Sequence, residues 1–227
     1  MHVDITYIFV LIGAVFSIIA SARVNSTFNK YARVRSLSGM TGAQTAEMIL
    51  QRRGIYDVRV EHIGGNLTDH YDPSRKVVRL SDKVYNSTSV AAIGVAAHEC
   101  GHVMQHHEGY APLNIRTALV PAANIGSKAG IPIVILGLIL GSNSVLINIG
   151  IWVFSLAVLF QIVTLPVEFD ASRRALACIE QYGIVTSDER SKSAKVLKAA
   201  AYTYVAAAAA SVLQLLRLVM LSGRRSN

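Results

Sequence analysis

Apolar residues along the chain collect in four long runs, at residues 5–22, 130–146, 148–165 and 199–221, with polar stretches between them. A helix of about 20 apolar residues crosses the ~30 Å hydrocarbon layer of a bilayer. The first run therefore reads as a transmembrane anchor. The second and third read as a helical hairpin in lipid, turned at Gly141-Ser142-Asn143-Ser144. The fourth is rich in alanine, is interrupted by Gln214 and Arg217, and is followed by Arg224 and Arg225. Such a run either spans or lies along the interface. The longest polar block, residues 23–116, is where a soluble domain has room to fold. Thr41 stands where a helix N-cap is expected, ahead of a helix over residues 43–53 that Gly54 stops. Residues 58–63 alternate as a strand does. Residues 76–81 are a second strand candidate, reached through the turn-prone Gly64-Gly65-Asn66 and Asp72-Pro73-Ser74. Together they predict a short β-hairpin, followed by a helix over residues 87–107.

Composition strengthens the membrane reading. Of 227 residues, 52% are hydrophobic and only 16% charged, whereas charged residues make up about a quarter of an ordinary soluble domain. The net charge of +8 would suit nucleic acid if the basic residues clustered with aromatics, but they are spread along loops. No nucleic-acid partner is expected. Enrichment of Lys and Arg in cytoplasmic loops accounts for them better. Arg23, Lys30, Arg33 and Arg35 follow the first run and none precedes it. Arg173, Arg174, Arg190, Lys192, Lys195 and Lys198 follow the third, and no Lys or Arg lies between Lys128 and Arg173. Both polar regions are thus expected in the cytoplasm. A spanning fourth run would put Arg224 and Arg225 on the far side, against that trend. Ala20-Ser21-Ala22 resembles a signal-peptidase site, but Met1-His2-Val3-Asp4 lacks a positive leader, so a retained anchor is expected. Cys100 and Cys178 form no disulfide framework and read as reduced thiols.

The predicted organisation is an anchor at residues 1–22, a catalytic domain at 23–116 and a transmembrane hairpin at 117–165. A cytoplasmic helical segment at 166–198 and an apolar helix at 199–227 complete it. The fold class is an α-rich (α+β) membrane protein with three to four transmembrane helices.

The chemistry sits in His98-Glu99-Cys100-Gly101-His102, an instance of H-E-x-x-H. On a helix the two histidines fall at i and i+4, so both imidazoles leave one face and can share one zinc ion. Glu99, beside the first ligand, is placed as general base toward the attacking water. Cys100, two residues from each histidine, projects about 160° away from both and is not a ligand. Two histidines that merely pack a helix would be the plain alternative. Gly101 argues against it, because glycine inside a helix needs a reason such as a close approach.

A catalytic zinc takes three protein ligands and keeps one position open. His106 extends the stripe, but about 1.5 Å of rise per residue puts it ~12 Å from His98, too far for one ion. His106 and His107 read instead as polar residues at a helix end. The longer H-E-x-x-H-x-x-G-x-x-H pattern fails, because Gln105 and Glu108 stand where Gly and His are needed. A carboxylate from a later helix remains, and Glu168 is the best candidate, since an acid beside an apolar span needs a cation or a partner. Asp170 is the fallback, and neutralisation of Glu168 by Arg173 or Arg174 is the plain reading.

The segment His98-Glu99-Cys100-Gly101-His102-Val103-Met104-Gln105-His106, together with Pro166-Val167-Glu168-Phe169-Asp170-Ala171-Ser172 and this arrangement of apolar runs, resembles the YugP-like bacterial membrane zinc metallopeptidases over nearly the whole chain. The resemblance implies a zincin-like domain with a gluzincin-type site related to that of HtpX-like membrane proteases. In that site His98, His102 and Glu168 hold one zinc and Glu99 acts as base. It also implies a multi-pass protein of the bacterial cell membrane. HtpX-like enzymes place an aspartate four residues after the ligand glutamate to support a zinc histidine. Here that position is Ser172, so Ser172, Asp170 or another acid takes the part.

The function expected is zinc-dependent endopeptidase action on membrane or membrane-associated proteins, with the active site facing the cytoplasm. Residues 76–81 offer a strand with which substrate backbone could pair. An intramembrane protease would carry its motif inside a span of about 20 apolar residues, whereas Gln105, His106, His107 and Glu108 follow this one at once. The remaining alternative is a catalytically silent membrane adaptor, but that would be expected to have lost Glu99 or a ligand. Oligomeric state is not legible.

Overall fold

The computed structural model describes residues 5–223. The leader at residues 1–4 and Arg224 and Arg225, used in the topology argument, lie outside that range. The elements are α1 (Tyr7–Tyr31), α2 (Gly42–Arg52), β1 (Arg59–His62), β2 (His70–Asp72), β3 (Val77–Leu80), α3 (Val90–His107), α4 (Ala111–Ile139), α5 (Ser144–Gln181) and α6 (Ser187–Gly223). Among the described residues the chain forms two compact units, residues 5–21, 111–166 and 202–223 in one and residues 22–110 and 167–201 in the other.

The first unit is built from helices. Four helices, α1, α4, α5 and α6, are long and apolar enough to cross a membrane. Val134, Ile147, Phe154, Val158 and Leu218 form the buried centre of this unit, while Ile18, Ile139, Val145 and Trp152 are exposed. Bare glycines let α4 and α5 touch: a Cβ on Gly130 would lie 2.7 Å from the Phe154 Cβ, and one on Gly150 would lie 2.7 Å from the Val134 nitrogen. Small residues at such crossings substitute close van der Waals contact for a hydrophobic drive that lipid cannot supply. The charge in the fourth run is also accommodated, since the Arg217 guanidinium lies 4.1 Å from the Tyr7 ring centroid.

The helices outrun the apolar segments that signal them. α1 continues through Arg23 and Lys30, and α4 starts at Ala111, ahead of Pro121 and Pro132. Pro166 does not end α5, which continues to Gln181. Hydropathy marks where side chains change solvent, not where backbone hydrogen bonding stops.

In the second unit, Thr41 caps α2: its side chain accepts from the Gln44 backbone nitrogen and the Gln44 side chain accepts from that of Thr41, a capping box. Gly54, at φ 70°, closes the other end. The two strands expected from the sequence are present but do not form the predicted hairpin with each other. β1 pairs with β3 in parallel, and the hairpin is made by β3 with β2, a three-residue strand too short to show alternation. The order β1-β3-β2 leaves β3 in the centre with both neighbours in place. Substrate backbone therefore cannot add to residues 76–81, because both edges of that strand are already paired. Val78, Leu80, Ile49, Val90, Ile93, Met104 and Ile179 belong to the core that joins sheet and helices.

Candidate metal centre

α3 opens at Ser89, whose hydroxyl accepts from the Ala92 nitrogen, and buries Val90 to Gly94 completely or nearly so. The helix is therefore fixed before it reaches His98. Its crossing with the later part of α5 is set by Gly101: a Cβ there would collide with the Ala171 carbonyl. Only hydrogen at this position lets the two backbones touch, which supplies the reason for a glycine inside the motif. Glu168, three residues before Ala171, is thereby brought to the histidines.

His98, His102 and Glu168 present ligand atoms that all lie within 4.8 Å of one another. Glu168 Oε2 stands 3.3 Å from His98 Nε2 and 3.7 Å from His102 Nε2. Ligands about 2.1 Å from a tetrahedral ion lie roughly 3.4 Å apart, so these spacings match a zinc site. Glu168 is 3% exposed, and its Oε2 has no hydrogen-bond partner of normal geometry. A buried carboxylate oxygen without a donor is costly unless a cation faces it. Burial works against charge on His102, yet the adjoining Glu168 carboxylate outweighs it and holds that imidazole above its ordinary pKa. The three side chains thus make a pocket that attracts positive charge, and the donor set fits zinc.

The other nitrogen of each ring is also engaged. His98 Nδ1 lies 3.1 Å from Ser172 Oγ, the position where HtpX-like enzymes carry aspartate. His102 Nδ1 lies 3.0 Å from Gln105 Oε1. Gln105 is fully buried, and its Nε2 donates to the Val167 carbonyl at 2.8 Å and to Asp170 Oδ2 at 3.0 Å. Both of those partners are acceptors, which fixes the amide orientation and turns Oε1 toward His102. His102 Nδ1 then carries a proton, and Nε2 is the ring nitrogen left to face a metal beside Glu168.

Asp170, the fallback ligand, is not part of the triad. It accepts from Gln105 and pairs with Arg173 and Arg174, and Arg174 also reaches Glu108. The arginine neutralisation considered for Glu168 falls to Asp170 instead. Nothing in the sequence marked Gln105 as a partner of His102; its contact with α5 is tertiary and carries no local signal. Cys100 is buried with its thiol toward the Ala46 carbonyl, and burial pushes its pKa well up. Cys100 and Cys178 are both free.

Glu99 is 8% exposed, and burial raises its carboxyl pKa against the pull of His98 and His102. Asp69, which directly precedes β2, is close enough to add to that rise. That rise is in the direction a general base needs.

Across residues 6–223 the sequence matches the family described as "Putative neutral zinc metallopeptidase". It is 49% identical over 224 residues to the "Putative membrane protease YugP" of Bacillus subtilis (strain 168), covering 97% of this chain and 99% of that protein. No solved structure matches the chain. A family match over nearly the full length and a relative of this identity agree with the four apolar helices and with the His98, His102, Glu168 cluster, and the chain belongs to the YugP-like family of membrane zinc metallopeptidases.

Proposed function

We propose that the protein is a zinc-dependent endopeptidase of the bacterial cell membrane that cleaves membrane or membrane-associated proteins. In this reading His98, His102 and Glu168 hold one zinc and Glu99 is the general base. Residues 23–116 and 166–198 supply the zincin-like catalytic part, on the cytoplasmic side. The hairpin at 117–165, the anchor at 1–22 and the helix within 199–227 hold it in the bilayer. The observation that carries the proposal is the approach of buried Glu168 Oε2 to two imidazole Nε2 atoms from a different helix.

Bound there, zinc supplies Lewis acidity toward a peptide carbonyl and toward water. Glu99 accepts the proton of the attacking water on its carboxylate and returns it to the leaving amine nitrogen. Ser172 and Gln105 hold the two rings so that each Nε2 lone pair faces inward. Extended substrate pairs with the open edge of β2, the sheet edge next to Asp69 and hence to Glu99. α3 is not among the helices long and apolar enough to span, which favours hydrolysis outside the hydrocarbon over intramembrane proteolysis.

Cleavage of casein, an unfolded reporter, by the detergent-purified full chain tests the reading. Wild type should cleave, with loss of at least about 100-fold in Glu99→Gln and loss on chelation. Zinc binding with no cleavage by wild type under any tested condition would favour the silent adaptor.

A further inference from the structure

α4 carries an exposed polar stripe that the proposed chemistry does not use. Thr117, Asn124 and Lys128 fall at i, i+7 and i+11, one face of the helix, with Ser127 beside them, and all four are exposed. Among the described residues neither the Lys128 ammonium nor the Asn124 amide has a hydrogen-bond or ion-pair partner. Pro121 and Pro132 lie inside the same helix and are exposed. Each proline removes the N–H that would pair with the carbonyl four residues earlier, which here are the carbonyls of Thr117 and Lys128.

The depth of Lys128 follows from its neighbours. Gly126 packs on Val153 and Ala157, and Gly130 on Phe154. Lys128 is therefore level with residues 153–157, the middle of the uncharged stretch of α5 that runs from Ser144 to Pro166. The end of that stretch lies some ten residues, or ~15 Å, away along the helix, and the four methylenes of lysine span less than half of it. Snorkelling does not bring this charge to the headgroups.

On the reading that α4 and α5 span the bilayer, we propose that this face docks a transmembrane helix of another protein that carries Asp or Glu near mid-bilayer depth. An ammonium in hydrocarbon is retained where a carboxylate or water meets it, and a partner helix with such a residue supplies the counter-charge to Lys128. A second copy of this chain cannot supply it, because neither the whole of α4 nor any of the four apolar runs contains Asp or Glu. Symmetric packing would also bring two Lys128 side chains together.

The test uses the donor-labelled full chain in phosphatidylcholine vesicles with acceptor-labelled Leu/Ala transmembrane peptides bearing Asp, Asn or Leu at mid-span. Energy transfer should show the Asp peptide binding about tenfold more tightly than the Leu peptide. Lys128→Met should abolish the difference and Lys128→Arg should retain it, both with unchanged zinc content. Equal binding of the peptides to wild type would overturn the proposal, as would a preference that survives in Lys128→Met. Self-association of the chain that depends on Lys128, with no peptide preference, would overturn it in favour of a symmetric contact. The spanning reading is checked separately, by labelling Ser144→Cys with a membrane-impermeant maleimide from the side opposite the catalytic part.

Discussion

Gln105 Oε1 accepts from His102 Nδ1 at 3.0 Å while its own amide nitrogen is held by the Val167 carbonyl and Asp170. One buried glutamine therefore ties the orientation of a proposed zinc ligand on α3 to the backbone of α5, one residue before Glu168. Two of the three proposed ligands are set by a single amide.

Replacing Gln105 with Leu keeps the volume but frees the His102 ring and removes the amide donor to the Val167 carbonyl and Asp170. Zinc affinity, measured by competition with a chromogenic chelator, should fall roughly 10–100-fold. Unchanged affinity would mean that His102 is oriented by packing alone.

Ser172 offers a graded case at the other histidine. Ser172→Ala should weaken zinc binding, and by less than Gln105→Leu, since a side-chain hydroxyl is a neutral and mobile acceptor. Ser172→Asp supplies the charged acceptor found in HtpX-like sites and should tighten binding above wild type, because a charge-assisted bond is roughly twice as strong. Equilibrium zinc titration of the three proteins gives the order.

Gly101→Ala probes the crossing itself. The added methyl meets the Ala171 carbonyl, which cannot move without shifting α5. Overpacking of this kind costs about 1–3 kcal/mol, so Tm should fall by several degrees. Because the shift moves Glu168 away from His98 and His102, zinc affinity should drop as well. Loss of stability with zinc affinity intact would detach the glycine from the metal site.

Much of this site could be read from local pattern. H-E-x-x-H carries its own geometry, since helical spacing alone puts His98 and His102 on one face. Glu168 stood out because a carboxylate next to an apolar run calls for a cation. Gln105 and the β1–β3 pairing could not be read, for the same reason: each depends on which distant segment packs alongside. Alternation at residues 58–63 and the apolar stretch bounded by turns at 76–81 signal strands but are silent on direction, and β2 is too short to signal at all. Helix ends were equally hidden, because α4 and α5 continue into polar sequence and through Pro121, Pro132 and Pro166.

In the proposed site Glu168, from a separate helix, completes the zinc ligands with His98 and His102. Zinc content of the detergent-purified chain tests it most directly, by elemental analysis of wild type beside Glu168→Gln and Glu99→Gln. About one zinc per chain is expected in wild type and in Glu99→Gln, with loss of the metal in Glu168→Gln. Absence of zinc from wild type after metal reconstitution, or full retention in Glu168→Gln, would contradict it.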